Sequence, residues 1–273
     1  MGRYSAVDLL RCLARPSPYI LWRKPMRITL IGYGRMGQAV ERVAKARGHT
    51  LVGIIHHDTP QEVRHTLAHQ AEVLIDFSRG DAVPEHVELA LSTRRPLVIG
   101  TTGWDTQREQ LAQRVYQANG AVLYAPNFSI AVQVFLTHAV ALATQLLQLE
   151  GWDLALEEIH HRAKADAPSG TARTLAHRLE QALHRPWTTA LPEHGGLPDN
   201  PFHVSALRLG HEFGTHRLLL DGPYDLIELT HRAKSREGFA YGALRASEWL
   251  LGRTGFFAFD EQLHAILNTG RID

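Results

Sequence analysis

Cysteine is nearly missing from this chain: Cys12 is the only one in 273 residues, which excludes an internal disulfide framework and makes a reducing compartment the expected setting. Any metal cluster would have to come from histidine and carboxylate ligands, and none is expected. An excess of either charge is missing too, since 29 Lys and Arg face 28 Asp and Glu for a formal net charge of +1, so a nucleic-acid partner is not expected. Long apolar runs are scarce. Residues 130–149 lack formal charge and raise the question of a membrane span, but Gln133, Thr137, Thr144 and Gln148 recur at intervals of four and seven. That polar stripe fits a helix packed within a soluble, cytoplasmic protein, and no membrane partner is expected. Residues 1–25 carry Arg3, Arg11, Arg15, Arg23 and Lys24 against the single acid Asp8, without the continuous apolar stretch of a secretory signal. They are read as an extension, disordered or preceding a native start at Met26.

What is present is 44% apolar residues, enough for one large or two ordinary domains. Arg27 to Ile31 alternates as a strand, Gly32-Tyr33-Gly34-Arg35-Met36-Gly37 follows, and Gln38 to Ala46 repeats at helical spacing. After a strand and before a helix, a Gly-x-Gly-x-x-Gly loop lets backbone approach a pyrophosphate at the helix N-terminus. Gly32, Tyr33, Gly34, Arg35, Met36 and Gly37 are therefore candidate dinucleotide-binding residues. The next strand, Thr50 to Ile55, ends at His56, where such folds usually carry the acid that holds the adenosine ribose. A histidine would tolerate a 2′-phosphate that an acid repels, so NADPH is expected to serve at least as well as NADH. Asp58 is the alternative ribose contact.

Glu72–Ser78, Pro96–Gly103 and Ala121–Tyr124 read as further strands, the first two followed by helical patterns. Alternating strands and helices imply an α/β, Rossmann-like, doubly wound parallel sheet. Ser78, Thr101 and Thr102 then face the crevice beyond the strands' carboxyl ends. Three alternating runs, His203–Leu209, Gly214–Leu220 and Asp225–His231, suggest a second, mostly open mixed sheet, completed by a strand from Asp153 to Ile159; Pro186 to Pro201 reads as a loop. Ala240 to Leu251 reads as a helix. The expected division is 26–129 with 240–273 for the dinucleotide, and 130–239 as an α+β part for substrate and oligomerisation. Lys234, Arg236 and Arg208 are taken as solvated charges, and His65, His69, His177 and His264 as solvent-facing.

The most informative segment runs from Glu157 to Ala172. It places His160 and His161 at a strand end, Lys164 beyond them, and Ser169-Gly170-Thr171 at the start of a helix. The helix start offers unpaired N–H groups to an anion. Two histidines and a lysine supply proton donors near neutral pH.

From Glu158 to Ala172 the chain closely resembles the signature of the dihydrodipicolinate (4-hydroxy-tetrahydrodipicolinate) reductases, Glu-x-His-His-x-x-Lys-x-Asp-Ala-Pro-Ser-Gly-Thr-Ala, at every fixed position. The resemblance extends over roughly residues 26–259, including Asp76-Phe77-Ser78, Gly100-Thr101-Thr102-Gly103 and Asn127-Phe128-Ser129. It implies NADPH- or NADH-dependent reduction, through a conjugated imine, to tetrahydrodipicolinate in lysine and diaminopimelate biosynthesis, without a metal. It further implies proton-donor roles for His160 and Lys164 and contacts from His161, Ser169, Gly170 and Thr171 to a small dicarboxylate. Gly100, Thr101, Thr102, Ala125, Pro126, Asn127 and Phe128 would lie at the nicotinamide half, and the second domain would form a homotetramer. Departures are residues 1–25, a glycine loop one residue shorter than in many members, His56, and a short stretch between His57 and Glu72. Two other readings share the first domain: another nicotinamide-dependent amino-acid-type dehydrogenase, and a non-catalytic dinucleotide sensor.

Overall fold

The computed structural model describes residues 24–269. The extension expected over residues 1–25, and Cys12 with it, therefore falls almost wholly outside the described residues.

Five strands and four helices alternate in the first part: β1 (Arg27–Ile31), α1 (Arg35–Ala46), β2 (Thr50–Ile55), α2 (Gln61–Gln70), β3 (Val73–Asp76), α3 (Val83–Thr93), β4 (Leu97–Ile99), α4 (Arg108–Gln117) and β5 (Ala121–Tyr124). A late strand, β11 (Gly255–Ala258), joins them, and the parallel sheet has the order β11-β5-β4-β3-β1-β2. Its strands are apolar on both faces because both faces are covered. Ile28, Leu30, Val73 and Leu123 pack on one side with α1 and α7 (Glu237–Leu250), while Ile31, Leu74, Leu97 and Val122 pack on the other with α2, α3 and α4. The helix expected near the end of the chain is thus present and lies against β3, β4 and β5. β11 is absent from the sequence reading: a four-residue run with two aromatic residues carries no period of its own.

α5 (Ile130–Leu146) leads into the second sheet, formed by β6 (Asp153–His160), β7 (Trp187–Thr188), β8 (Phe202–Arg208), β9 (Thr215–Asp221) and β10 (Leu226–Arg232) in the order β10-β9-β6-β8-β7. The sheet is mixed, since β6 runs antiparallel to β9 and parallel to β8. β7 interrupts the expected loop. Leu154, Leu156, Leu218 and Val204 face α5 and α6 (Gly170–Leu183) and form the second core. No described helix is long and apolar enough to cross a membrane. Gln133, expected on a polar stripe, is buried and donates from Nε2 to the Asn127 carbonyl, 3.0 Å away. A short helix, α8 (Leu263–Asn268), ends the described chain.

Candidate active site

Two cavities lie along the carboxyl ends of the first sheet. The first, about 790 Å³, is lined by Gly32, Tyr33, Gly34, His56, His57 and Ser78 among others. Gly32 has φ +84°, and a Cβ there would stand 2.5 Å from the Phe77 carbonyl oxygen. A Cβ on Gly37 would stand 2.5 Å from the Gly32 oxygen, so this glycine lets α1 pack against the loop. Around Gly34, by contrast, a Cβ would meet nothing within 4 Å, and Gly34 caps α1 without a side-chain hydrogen bond. Open space before a helix start with uncapped N–H groups is what a dinucleotide's diphosphate requires. The residues present fit that group.

The remaining candidates at this end divide. Arg35 is exposed and Met36 half-buried at the first turn of α1, and neither lines the cavity. His56 is exposed at the cavity wall, its ring edge-on to Tyr33 with centroids 6.3 Å apart. Asp58 does not reach the cavity. Sequence reasoning missed two cations there: Arg64, held by the carbonyls of Thr59 and His57 and by Glu85, and Arg79, paired with Asp81 at 3.0 Å from Nε. Arg79 directly follows Ser78, and Arg64 reaches the cavity from α2.

Thr101 corrects an expectation. It is buried, its hydroxyl donating to Asp76 Oδ1 at 2.9 Å, so its side chain supports the loop and does not face the crevice. Asp76, fully buried, also accepts from the Ser78 hydroxyl at 2.6 Å and lies 2.8 Å from His86 Nδ1. Gly100 lies against the Phe77 ring and lines neither cavity. Phe128 is likewise buried, packing on Phe77 and Phe259 with centroids 6.2 and 4.9 Å away. Any contact Phe128 makes with a dinucleotide comes from its backbone.

The second cavity, about 670 Å³, has walls from both sheets: Thr102, Ala125, Pro126 and Asn127 on one side, and the signature residues from His160 to Thr171 on the other. Asn127 Nδ2 reaches Thr171 Oγ1 at 3.3 Å and spans the two. His160, His161, Lys164, Ser169, Gly170 and Thr171 all line this space. So do His216 and His231, from β9 and β10; the resemblance takes in Thr230-His231, but neither histidine was expected in the site. Only the pairing of β9 with β6 brings His216 opposite Glu158.

Glu158 organises the segment. Fully buried, it accepts from the Ser169 N–H at 2.9 Å and from Arg208 at 3.2 Å through Oε1. Its Oε2 lies 3.2 Å from His160 Nδ1, close but not aligned for a hydrogen bond. Burial opposes ionisation of Glu158, but the neighbouring His160 and Ser169 outweigh it and hold its pKa at about 2. Burial, reinforced by the adjacent His160, pushes His216 down to about 4, and burial also lowers His231. Arg208 corrects a second expectation: it is not a solvated charge, because it also donates to the Asp166 carbonyl at 2.6 Å and ties β8 to the signature loop.

The start of α6 is less free than its sequence suggests. Ser169 is buried, its hydroxyl accepting from the Ala172 N–H at 3.2 Å and lying 3.1 Å from His216 Nε2. Asp166 meanwhile takes Lys164 Nζ at 2.6 Å on one oxygen and the Gly170 N–H at 3.2 Å on the other. That lysine bond holds the Asp166 carboxyl below its ordinary range.

Two sequence models match consecutive stretches of the chain: dihydrodipicolinate reductase, N-terminus, over residues 26–128, and dihydrodipicolinate reductase, C-terminus, over residues 131–263. The chain belongs to the dihydrodipicolinate reductase family. Relatives agree along their whole lengths: a 4-hydroxy-tetrahydrodipicolinate reductase of Christiangramia forsetii is 35% identical over 87% of this chain and 98% of its own. Another, from Natronomonas pharaonis, is 36% identical over 86% of this chain and 99% of its own. The fold is shared with a dipicolinate-bound dihydrodipicolinate reductase from Paenisporosarcina sp. TG-14, at TM-score 0.72 and 21% identity over 87% of this chain and 99% of that one. Membership of this reductase family accounts for the parallel sheet, the mixed sheet and the signature together.

Proposed function

We propose that this chain catalyses the NAD(P)H-dependent reduction of 4-hydroxy-tetrahydrodipicolinate, by way of dihydrodipicolinate, to tetrahydrodipicolinate in lysine and diaminopimelate biosynthesis. The observation that carries this reading is the second cavity, which loops at the end of the parallel sheet line together with His160, His161 and Lys164. Residues 26–129 with 240–273 serve the dinucleotide, and residues 130–239 serve substrate and assembly.

When bound, the reduced nicotinamide supplies the hydride. Lys164 delivers a proton as the substrate hydroxyl departs or as charge develops on nitrogen, and His160 protonates the reduced intermediate. His161 and the Ser169-Gly170-Thr171 turn hold the substrate carboxylates and fix the acceptor carbon. Asp166 stands where such a carboxylate would bind, bridging Lys164 and the Gly170 N–H. An arriving carboxylate takes its place, which frees the lysine for proton transfer as the substrate seats. At the other end, His56 and Arg79 receive an adenosine 2′-phosphate, so NADPH is used at least as well as NADH.

The protein acts in the cytoplasm as a homotetramer assembled through the second sheet. The face of that sheet turned away from α5 and α6 carries Ala155, Leu219 and Ile159 with a Glu157–Arg217 ion pair at 3.4 Å, and Leu207 is half exposed there. A half-apolar sheet face is buried by a second copy.

The test is NADPH oxidation with substrate generated in place from pyruvate and aspartate semialdehyde, with NADH in parallel. Substrate-dependent oxidation is expected with both cofactors. Absence of turnover by folded protein that binds the cofactor would end the assignment.

A further inference from the structure

Glu158, His160 and His216 form a buried group with an unusual property: their ligand-type atoms all lie within 4.8 Å of one another. Oε1 of Glu158 is committed to Ser169 and Arg208, but Oε2 is buried and has no hydrogen-bond partner. Nδ1 of His160 is also buried and has no hydrogen-bond partner. Two polar atoms without an aligned hydrogen bond, 3.2 Å apart, call for a physical reason, because each loses its hydration without recovering a bond; the nitrogen of His216 that faces them, Nε2, is held by the Ser169 hydroxyl alone. Oε2 is 3.2 Å from His160 Nδ1 and 3.9 Å from His216 Nε2, separations near those of adjacent ligands around a four-coordinate ion with bonds of about 2.1 Å.

The geometry points to a binding site for a divalent transition ion, Zn2+ foremost, held by Glu158, His160 and His216 with its fourth position open to the substrate cavity. Two imidazoles and one carboxylate suit Zn2+ and disfavour Ca2+ and Mg2+, which select oxygen ligands. The outer contacts needed to hold the carboxylate are in place, since Arg208 and the Ser169 N–H steady it from its other oxygen; the Ser169 hydroxyl, on Nε2 of His216, turns away when the ion takes that nitrogen. Both histidines and Ser169 line the cavity, so an ion has a path of entry and an anionic ligand can complete its shell. The ion is not needed for hydride transfer. It sequesters His160 and so inhibits turnover, a consequence that rests on the proton-donor role proposed for that residue, whereas the binding itself does not.

Binding is measured without turnover, on the full chain stripped with a chelator, by isothermal titration with ZnCl2 and by the visible absorption of added Co2+. One equivalent is expected to bind, with the intense bands of four-coordinate cobalt. His216→Ala and Glu158→Gln should each weaken binding at least tenfold, while His161→Ala, beside the cluster but outside it, should retain it. Thermal melts of each variant show that it is folded; if Glu158→Gln does not fold, His216→Ala and His161→Ala still decide the matter. Weak multi-site binding indifferent to His216→Ala, or loss of binding in His161→Ala alone, would overturn the site. Zinc that binds in this pattern yet leaves turnover intact would instead overturn the inhibition and count against the role given to His160.

Discussion

Glu158 and His216 carry opposite ionisation demands in the same small volume, and acid sets them against the fold. An unfolded histidine titrates near 6.5 and folded His216 at about 4, so between these values the unfolded chain takes up the extra proton and stability falls as pH drops. Glu158 extends the loss from its ordinary 4.5 down to about 2. Across its interval each group accounts for a loss of stability on the order of 3 kcal/mol. The urea midpoint should therefore hold steady above pH 7 and decline from about 6.5 downward, and His216→Gln should flatten the first part of that decline. On the catalytic side, His160→Ala or Lys164→Ala is expected to lower kcat on the order of 10²-fold or more. Near-normal turnover in both would remove them from proton transfer. Asp166→Ala separates two of its roles: if it stands in for a substrate carboxylate, KM changes more than kcat, whereas a purely structural role would show first in the thermal midpoint.

Among the elements, the turn from β1 to α1 offers the cleanest test because its glycines have unlike surroundings. Gly34→Ala meets open space, so the fold should be unaffected while the Kd for NADPH rises about tenfold or more, the added methyl lying in the path of a diphosphate. Gly37→Ala meets the Gly32 carbonyl at 2.5 Å and should lower stability by about 1–3 kcal/mol. Equal cofactor affinity in wild type and Gly34→Ala would refute the placement. This turn was legible in sequence, as were β1, β2 and β5, whose bounds match because glycine, proline and charged residues punctuate strong apolar runs. The signature segment was legible because it is local: strand end, turn and helix start lie within sixteen residues. What escaped was whatever depends on distant partners. β11 acquires its identity only by pairing with β5, and His216 enters the site only through β9. His86 and His49 gave no sign of the buried carboxylates, Asp76 and Glu248, beside which they lie. Thr101 and Phe128 were placed in the right loops, but sequence could not say which way their side chains turn.

For the whole molecule, assembly and ligand binding should be visible together. Light scattering coupled to gel filtration should give the mass of four chains, and Leu219→Arg, on the outward face of the second sheet, should reduce it. A monomer in both cases would refute assembly through this face. Saturating NADPH at about 100 times its Kd should add roughly 2.7 kcal/mol of stability and raise the thermal midpoint by about 5–10 °C.

The path of the chain also bears on the order in which the molecule comes into being. β6 to β10 are complete before α7 and β11, yet α7 packs against β3, β4 and β5, and β11 closes the edge of the parallel sheet. During synthesis the second sheet can therefore reach its final packing while the first still lacks a covering helix and a border strand. A growing chain halted near residue 235 would expose Val73, Val98 and Leu123 along an unsealed surface, and chaperones are expected to bind it there.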